Sequence, residues 1–462
     1  MTQEASQTRK TLINTLSRQL GMAGDRVAEI LPPFAETRGS ARSLAARRAN
    51  PQRSVLIVVE NLPVPLDRRV WLEATSLVEA GYQVSVICPM GRGWTKAFEV
   101  IEGVHIYRYP EPPEAHSGAM AYAREYAHAL WHMFRLARKV WIERGFDIIQ
   151  GCNPPDLIFL VALAYRPYGV RYLFDHHDVC PELFEAKFGK KGLLYRVMLA
   201  WERVSFAVAD VSIATNESFR RIAQTRGKMA AEDVFVVRSA PRVETFRPGP
   251  GDQSYRKGAK TVLGYVGVIG QQEGMDLMVA AADHLIRDLG HADVHFVIIG
   301  FGPTLEEVKA DVAARGLAAH FTFTGALFGE AMLQALNACD IGLSPDPKNA
   351  MNDISTMNKV MEYMTLEKPV VQFDLTEGRA SAGEAALYAR ENDAVDFAAK
   401  IAWAIENPDA ARDMGQRGRE RVLDRLSWQH SVPHLLAAYD RAFAKARQRA
   451  PRSANIRVMP AE

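Results

Sequence analysis

Cysteine is scarce in this sequence, with four among 462 residues. Cys88, Cys152, Cys180 and Cys339 are too far apart to form a CxxC pair or a zinc ribbon. A chain of this length with so few cysteines is also not a disulfide-stapled miniprotein. We therefore expect four free thiols in a reducing compartment.

Long apolar runs are missing as well. The longest, residues 157–165, has nine residues, whereas a helix that spans a membrane needs about 20. The first ten residues, MTQEASQTRK, lack the apolar segment of a secretory signal. We expect the protein in the cytoplasm or at the inner face of the cell membrane.

The chain also lacks an excess of one charge. Its 56 Lys and Arg residues nearly balance 54 Asp and Glu residues, for a net charge of +2, which argues against a nucleic-acid-binding protein. The charge is unevenly spread, because residues 1–250 have 33 basic and 26 acidic residues and residues 251–462 have 23 and 28. The length predicts two or three domains at about 150 residues each.

Short apolar runs alternate with helical patterns, which predicts an α/β fold. The first series of predicted strands covers residues 55–59, 82–88, 104–109, 147–150, 171–174, 211–214 and 234–237. A second series, after a Pro- and Gly-rich stretch at residues 247–254, covers 261–266, 294–299, 321–323, 341–343 and 369–373. We predict two Rossmann-like, doubly wound domains that face each other across a cleft, where ligands bind outside the carboxyl ends of the strands.

The predicted boundaries follow from this pattern. They are a short N-terminal extension over 1–53, an N-terminal domain over 54–248, a C-terminal domain over 249–425 and a helix over 426–450.

A polar loop and a helix follow the predicted strand at 341–343. Asp353 or Ser355 is expected to cap the helix, with Lys359 one turn inside it and Glu362 on the same face. The helix amides and Lys359 suit a diphosphate, and the Glu362 carboxylate suits a sugar diol. The alternative is a surface helix with an ordinary Lys–Glu pair.

Charged residues also follow two strands of the first series. Asp67, Arg68 and Arg69 suit a phosphate or an acidic sugar on an acceptor; the alternative is a solvated loop in which Asp67 caps a helix. His177 and Asp178 end the run Asp-His-His-Asp at 175–178. The alternatives for this run are a metal site and a purely structural histidine. Because adjacent residues point to alternate sides of a strand, they rarely converge on one ion, which counts against the metal site.

The sequence resembles a known family in four stretches, at residues 60–71, 175–183, 267–274 and 352–364. Together they resemble the family 4 glycosyltransferases, retaining enzymes with the two-domain GT-B fold, and within them a bacterial subgroup that builds exopolysaccharide and O-antigen chains. The resemblance implies a hexosyltransferase-type enzyme that binds a nucleotide-sugar donor in its C-terminal domain. It implies a glycan or polyprenyl-linked acceptor mainly in the N-terminal domain, and neither a cofactor nor a metal. It also implies that the helix over 426–450 crosses back onto the N-terminal domain.

The resemblance also implies roles for single residues. His177, with Asp178, faces the reacting sugar, where its backbone carbonyl and ring are expected to support the positive charge of the transition state and to orient the acceptor. Glu362 binds the ribose, and Gly267 belongs to the phosphate loop. The sequence departs from the family at the first of two glutamates, where it has Ile354, and we expect Asp353 or Asp346 to contact the donor hexose instead.

A second departure concerns the basic pair of the phosphate loop, which is replaced by Val268 and Glu273. We therefore expect Lys359 and Arg379 to bind the diphosphate.

Two other functions stay open: a GT-B nucleotide-sugar epimerase without an acceptor site, and a non-catalytic scaffold that binds a sugar nucleotide. Aromatic and basic residues at 119–144 and 188–195 favour a peripheral membrane contact. The alternative for the first segment is a helix that packs on its own sheet.

Overall fold

The computed structural model describes residues 53–111, 119–189 and 191–449. The predicted extension therefore lies outside the described residues, apart from its last one. The described chain forms two sheets with helices on their faces, as predicted for an α/β protein.

The N-terminal domain is built on an eight-stranded sheet with the order β3-β4-β2-β1-β5-β6-β7-β8. It is parallel except at the edge pair β3 and β4. Its strands are β1 (Ser54–Val59), β2 (Gln83–Pro89), β3 (Phe98–Ile101), β4 (Val104–Tyr109), β5 (Ile148–Cys152), β6 (Arg171–His176), β7 (Val211–Ala214) and β8 (Val234–Val236). Its helices are α1 (Arg68–Glu79), α2 (Ala119–Glu143), α3 (Phe159–Tyr165), α4 (Cys180–Phe188), α5 (Leu193–Val208) and α6 (Glu217–Thr225).

The C-terminal domain has a six-stranded parallel sheet with the order β11-β10-β9-β12-β13-β14. Its strands are β9 (Thr261–Val268), β10 (Val294–Phe301), β11 (Phe321–Gly325), β12 (Ile341–Ser344), β13 (Val370–Phe373) and β14 (Ala386–Ala389). The helices are α7 (Met275–Arg287), α8 (Leu305–Ala314), α9 (Gly329–Ala338), α10 (Asn358–Thr365), α11 (Thr376–Ala382), α12 (Ala394–Glu406), α13 (Pro408–Arg421) and α14 (Trp428–Arg449).

Strand β1 shows why the first sheet is covered on both faces. All six of its residues are buried, as is typical of a parallel strand between two helical layers. Val55, Ile57 and Val59 pack in one core cluster, and Leu56 and Val58 pack in the cluster on the opposite face.

Helix α14 belongs in space to the N-terminal domain. Trp428, Leu435 and Tyr439 are buried in the same cluster as β1 and α1, and the Trp428 Nε1–H donates to Ser76 Oγ at 2.9 Å. The helix therefore returns across the domain boundary, the course that the family resemblance implied for residues after 426.

The first domain crossing comes earlier than predicted. Val237 is buried in the N-terminal core, whereas Ala240 and Phe246 already pack in a C-terminal cluster. The predicted boundary at 248/249 is therefore about ten residues late, because the Pro- and Gly-rich stretch is a surface segment of the C-terminal domain. The return crossing lies between Leu426 and Trp428, close to the predicted 425/426.

Helix α2 packs on its own sheet through Met133, Ala137, Val140 and Trp141, which is the alternative to membrane contact. None of the described helices is both long and apolar enough to span a bilayer.

Candidate functional site

The two domains meet at the carboxyl ends of their strands, where the sequence placed a cleft. The loop after β12 reaches the N-terminal domain, because Asn216 Nδ2 donates to the Ile354 carbonyl at 2.9 Å and to Thr356 Oγ1 at 3.0 Å. A second contact joins Ser218 Oγ to Glu377 Oε1 at 2.6 Å. The structure thus has the domains in direct contact around the candidate site.

Ile354, which replaces the first family glutamate, has a packing role at this contact. It packs with Met351 against Val179, Ala214 and Phe219 of the N-terminal domain. A carboxylate at this position would lie against apolar side chains, at a cost in desolvation.

Arg69 lies inside the N-terminal domain, with 7% of its surface exposed. Its guanidinium binds Asp175 through Nε at 3.1 and 3.2 Å and through Nη2 at 2.7 Å. It also pairs with Glu73 at 3.1 Å and donates to the Val237 carbonyl at 2.8 Å. Most of its donors are used within the fold, but Arg69 also lines the pocket between the domains, so its contact with an acceptor stays a prediction.

Asp175 connects Arg69 to His177, because its carboxylate contacts both side chains. Strand β6 continues to His176, so Asp175 and His177 lie on one side of the chain and His176 on the other. His177 Nδ1 lies 3.2 Å from Asp175 Oδ2. His176, in contrast, is fully buried 3.3 Å from Glu202, which separates the two histidines as the alternation predicted.

Asn153, directly after β5, fixes the backbone of the histidine loop. Its side-chain oxygen accepts from the N–H groups of His177 and Asp178 at 2.9 and 3.1 Å, and its Nδ2 donates to the Asp178 carbonyl at 2.6 Å. His177 and Asp178 therefore occupy a rigid loop at the end of β6, and both are partly exposed.

The charge of His177 follows from its neighbours. Burial lowers the pKa of the ring, but the Asp175 carboxylate outweighs burial and raises that pKa to about 9. Burial likewise opposes ionisation of Asp175, yet Arg69 and His177 hold its pKa well below the ordinary value. His177 is therefore an imidazolium at neutral pH, and its ring does not favour an adjacent positive charge.

A buried polar network continues behind this pair. Gln150 Nε2 donates to Glu73 Oε2 at 2.6 Å, and the Tyr439 hydroxyl of α14 donates to Gln150 Oε1. Burial and the nearby Asp175 raise the pKa of Glu73 to about 8. Glu73, Asp175 and Cys152 are close enough to be metal ligands, but the two carboxylates hold the guanidinium described above.

Asp67 and Arg68 have different positions. Asp67 is buried and caps α1 by accepting from the Val70 N–H at 3.0 Å, so the capping alternative fits it and the acceptor role does not. Arg68 is more than half exposed and reaches across the cleft, where its Nη1 lies 2.5 Å from Glu362 Oε1. Glu362 itself is buried.

Lys359 lies in the first turn of α10, which begins at Asn358, and not one turn inside the helix as predicted. It is buried, with Nζ 2.6 Å from Asp346 Oδ1, 3.2 Å from Glu273 Oε2 and 5.0 Å from the centre of the Tyr265 ring. Burial lowers its pKa, but the two carboxylates and Tyr265 outweigh burial and raise it. Asp346 and Glu273 therefore already balance the charge that was assigned to the diphosphate.

Gly267 is beside this lysine. A Cβ at Gly267 would lie 3.1 Å from the Tyr265 hydroxyl and 3.4 Å from Lys359 Cε. The structure thus brings the predicted residues Gly267 and Lys359 together, and a side chain at residue 267 would press on the lysine.

The predicted cap of α10 is wrong. The helix begins at Asn358, after Met357, without a side-chain cap. Asp353 instead accepts from the N–H and the hydroxyl of Thr376 at 2.9 and 3.0 Å, and Ser355 Oγ donates to the Met351 carbonyl at 2.7 Å. Both side chains stabilise the loop, and the contact of Asp353 or Asp346 with a hexose stays a prediction.

Arg379 has a local partner. Its Nε and Nη2 bind the two oxygens of Asp374 at 2.5 and 2.6 Å, and its guanidinium lies 4.2 Å from the Tyr388 ring centre. These contacts keep Arg379 at the end of β13. The contacts described for it include neither Lys359 nor Glu362, so the predicted cooperation on one diphosphate does not appear in this arrangement.

The Arg68–Glu362 pair lies in a pocket between the domains. Its lining also includes Trp71, Arg242 and Asn358, from α1, the crossing segment and α10. This pocket combines an exposed cation, a buried carboxylate and the first residue of a helix, which suits a ligand with hydroxyl groups and an anionic part.

Four residues of the network were missed from the sequence: Glu73, Gln150, Asn153 and Tyr439. Two had a local signal, since Glu73 is one helical turn from Arg69 and Asn153 directly follows a strand. Tyr439 had none, because its partner is 289 residues away in the chain.

The comparisons with known proteins agree with this architecture. A family model described as "Glycosyl transferase 4-like domain" matches residues 66–240, and one described as "Glycosyl transferases group 1" matches residues 260–407. The chain is similar to alpha-maltose-1-phosphate synthase of Mycolicibacterium smegmatis, at 24% identity over 307 residues, which cover 61% of this chain and 76% of that relative. It is also similar to 2-deoxystreptamine glucosyltransferase of Streptomyces kanamyceticus, at 27% identity over 40% of this chain and about half of the relative (47%).

Solved structures show the same fold. Sucrose-phosphate synthase from Thermosynechococcus elongatus matches 85% of this chain and 100% of its own, with a TM-score of 0.68 and 16% identity. The Anabaena protein Alr3699/HepE, in complex with UDP-glucose, matches 84% of this chain and 99% of its own, with a TM-score of 0.64 and 14% identity. These likenesses confirm the predicted GT-B fold.

Lys359 is expected to stabilise the fold. Replacing it with Met leaves Asp346 and Glu273 buried without their cation, which costs about 3–5 kcal/mol when one partner of a buried ion pair is removed. Lys309→Met, on the exposed face of α8 beside Glu306, serves as the control and should cost less than about 1 kcal/mol. Urea unfolding measures both, and equal stability of the two variants would show that Lys359 is not needed to balance these carboxylates.

His177 is expected to make stability depend on pH. Its pKa is about 9 in the folded chain and about 6.5 when unfolded. The stabilisation is therefore complete below about pH 6.5 and is lost as the pH rises through 9, with a slope of up to about 1.4 kcal/mol per unit. Urea unfolding between pH 6 and 9.5 should show a shallower decline in His177→Gln than in the exposed control His434→Gln. Identical slopes would mean that Asp175 does not hold the proton on His177.

Proposed function

Because the chain belongs to the family 4 glycosyltransferases, we propose that it transfers a sugar from a nucleotide-sugar donor to a glycan acceptor, with retention of configuration. The observation that carries the proposal is the pocket between the domains, where Glu362 of the C-terminal domain meets Arg68 of the N-terminal domain. The Anabaena neighbour, whose structure holds UDP-glucose, supports a nucleotide sugar as the donor.

In this proposal Glu362 binds the ribose hydroxyls of the donor. A buried carboxylate accepts two hydroxyl hydrogens well, and its contact with the exposed Arg68 at 2.5 Å places it within reach of the cleft. The donor then competes with Arg68 for Glu362. The released Arg68 pairs with the diphosphate, in place of the family's basic pair, since Lys359 is already balanced by two carboxylates.

The transfer that we propose needs no protein base. The bond from the anomeric carbon to the diphosphate oxygen breaks, and a bond from that carbon to an acceptor oxygen forms on the same face. The acceptor proton passes to the leaving diphosphate oxygen. The protein positions the reactants and stabilises charge. We assign support of the positive anomeric carbon to the His177 backbone carbonyl, because the ring is itself cationic at neutral pH.

We extend the proposal to polysaccharide biosynthesis with a lipid-linked acceptor. Phe188 and Leu193, at the junction of α4 and α5, are 52% and 80% exposed, and Lys187 and Lys191 flank them. Exposed apolar side chains among lysines suit contact with an anionic lipid surface. The solved structure of WaaG, a glycosyltransferase involved in lipopolysaccharide biosynthesis, has the same fold, with a TM-score of 0.61 and 15% identity over 84% of this chain and 99% of its own.

We also propose that transfer needs no metal ion. Residues 249–425 contain no DxD sequence, and Asp346 and Glu273 already share the Lys359 ammonium group. Turnover should survive assay after exhaustive chelation with EDTA. Turnover that is lost and then restored by Mg²⁺ or Mn²⁺ would overturn this part of the proposal.

The exchange of partners at Glu362 is tested with two ligands, uridine and UDP. Arg68→Ala should bind uridine at least as tightly as the parent, because the competitor for Glu362 is gone. It should bind UDP at least tenfold more weakly, because a charge-assisted contact of about 1.5–3 kcal/mol is lost. Glu362→Gln should weaken both ligands.

Isothermal titration measures these affinities, with GDP and ADP tried in the same way, and Arg412→Ala on exposed α13 is the control. If Arg68→Ala tightens UDP binding as much as uridine binding, Arg68 only blocks the site. If Glu362→Gln leaves nucleotide binding unchanged in a folded protein, the donor site lies elsewhere. A product that is an epimer of the donor, formed without any acceptor, would instead identify an epimerase.

A further inference from the structure

A second pocket lies on the N-terminal side, where β1, β2 and β4 end. Its lining includes Glu60 after β1, Gly91 and Arg92 after β2, Glu111 after β4 and Glu125 of α2. Ligands of doubly wound sheets bind outside the carboxyl ends of the strands. The position therefore suits a substrate, and it is separate from the pocket that holds Glu362.

Glu60 is the unusual member of this pocket. It is 7% exposed and lines the pocket wall, and among the described residues it has no hydrogen-bond or ion-pair partner. A buried carboxylate that lacks partners is costly. Hydrogen-bond donors from a ligand in the pocket would remove that cost.

The surroundings of Glu60 are mostly acidic. Glu111 places its carboxylate over Gly91, so that a Cβ on Gly91 would lie 3.0 Å from Oε1, and Glu125 approaches from α2. Burial raises the pKa of Glu60 to about 7, and repulsion by Glu125 adds to the rise. Among the described residues, the buried Tyr109 hydroxyl close to Glu60 also has no hydrogen-bond partner. The described lining of the pocket thus has three carboxyl groups and one guanidinium.

That guanidinium links the pocket to the donor domain. Arg92, in the loop after β2, lies 4.4 Å from the centre of the Phe301 ring at the end of β10. One side of the pocket is therefore formed where the two domains touch, so a ligand in it is next to the cleft.

We propose that this pocket binds the acceptor sugar through hydroxyl or ammonium groups, and that it selects against acceptors whose sugar carries a carboxylate or a phosphate. The inference rests on the proposed function for its link to catalysis. Glu60 and its neighbours accept hydrogen bonds from hydroxyl groups and attract an ammonium group, whereas they repel an anion. This selectivity is opposite to the acidic acceptor that the Asp67–Arg69 segment suggested from the sequence.

The experiment measures the binding of three small probes to the full chain by ligand-observed NMR at pH 7. The probes are methyl glucoside, methyl glucosaminide and methyl glucuronide, which are neutral, cationic and anionic. We expect the first two to bind, and the glucuronide to bind at least tenfold more weakly. In Glu60→Gln the glucosaminide should no longer bind more tightly than the glucoside. The difference in affinity between the glucoside and the glucuronide should also become smaller. Glu330→Gln, on exposed α9, is the matched control.

Each outcome decides the proposal. A glucuronide that binds the parent as well as the glucoside does, or a Glu60→Gln variant that ranks the probes like the parent, would overturn it. If Glu60→Gln does not fold, the order of the three probe affinities in the parent chain is a sufficient test of the proposal. Failure of all three probes to bind, while UDP still raises the Tm, would refute this pocket and leave the proposed function standing. Failure of every nucleotide to raise the Tm would refute the proposed function instead. The affinities of the three probes would still test the selectivity of the pocket.

Discussion

The ion pair between Arg69 and Asp175 is the contact on which the N-terminal side of the cleft depends. One guanidinium joins the first turn of α1, the end of β6 and the segment that leaves for the other domain. A buried charge is tolerated only with partners that satisfy it, so these three elements have one compatible arrangement. The position and the charge of His177 follow, because its ring is bound to the same carboxylate.

Much of the fold could be predicted from the sequence because it depends on local pattern. Continuous apolar runs marked most of the parallel strands, whereas β3 and β14, which are partly exposed strands at sheet edges, were missed. Site residues were harder to assign. Arg68 and Arg69 are adjacent and chemically alike, yet one crosses the cleft and the other is buried, since successive helical residues point about 100° apart. Only the tertiary structure shows that Lys359 and Asp353 have internal partners.

Charges within the candidate site are mostly balanced before any substrate arrives. Lys359 pairs with two carboxylates, Arg379 with Asp374 and Arg69 with Asp175. The Arg68–Glu362 pair differs because its partners come from different domains and its arginine is exposed. Exchange of partners therefore costs least there, because the exposed Arg68 guanidinium can be solvated once it leaves Glu362. The candidate site thus combines internally balanced charges with one exchangeable pair at Glu362.

The side-by-side position of the two domain crossings has a consequence for building chimeras. The backbone N–H of Trp428 donates to the Pro241 carbonyl at 3.4 Å, and Ser431 Oγ donates to the Arg238 carbonyl at 3.0 Å. The outgoing and returning segments are therefore hydrogen-bonded to each other. A cut at the Pro- and Gly-rich stretch would divide the C-terminal domain from residues that belong to its own core. An exchange of C-terminal domains between related enzymes therefore has its natural junctions near residues 239 and 427, with α14 kept from the recipient.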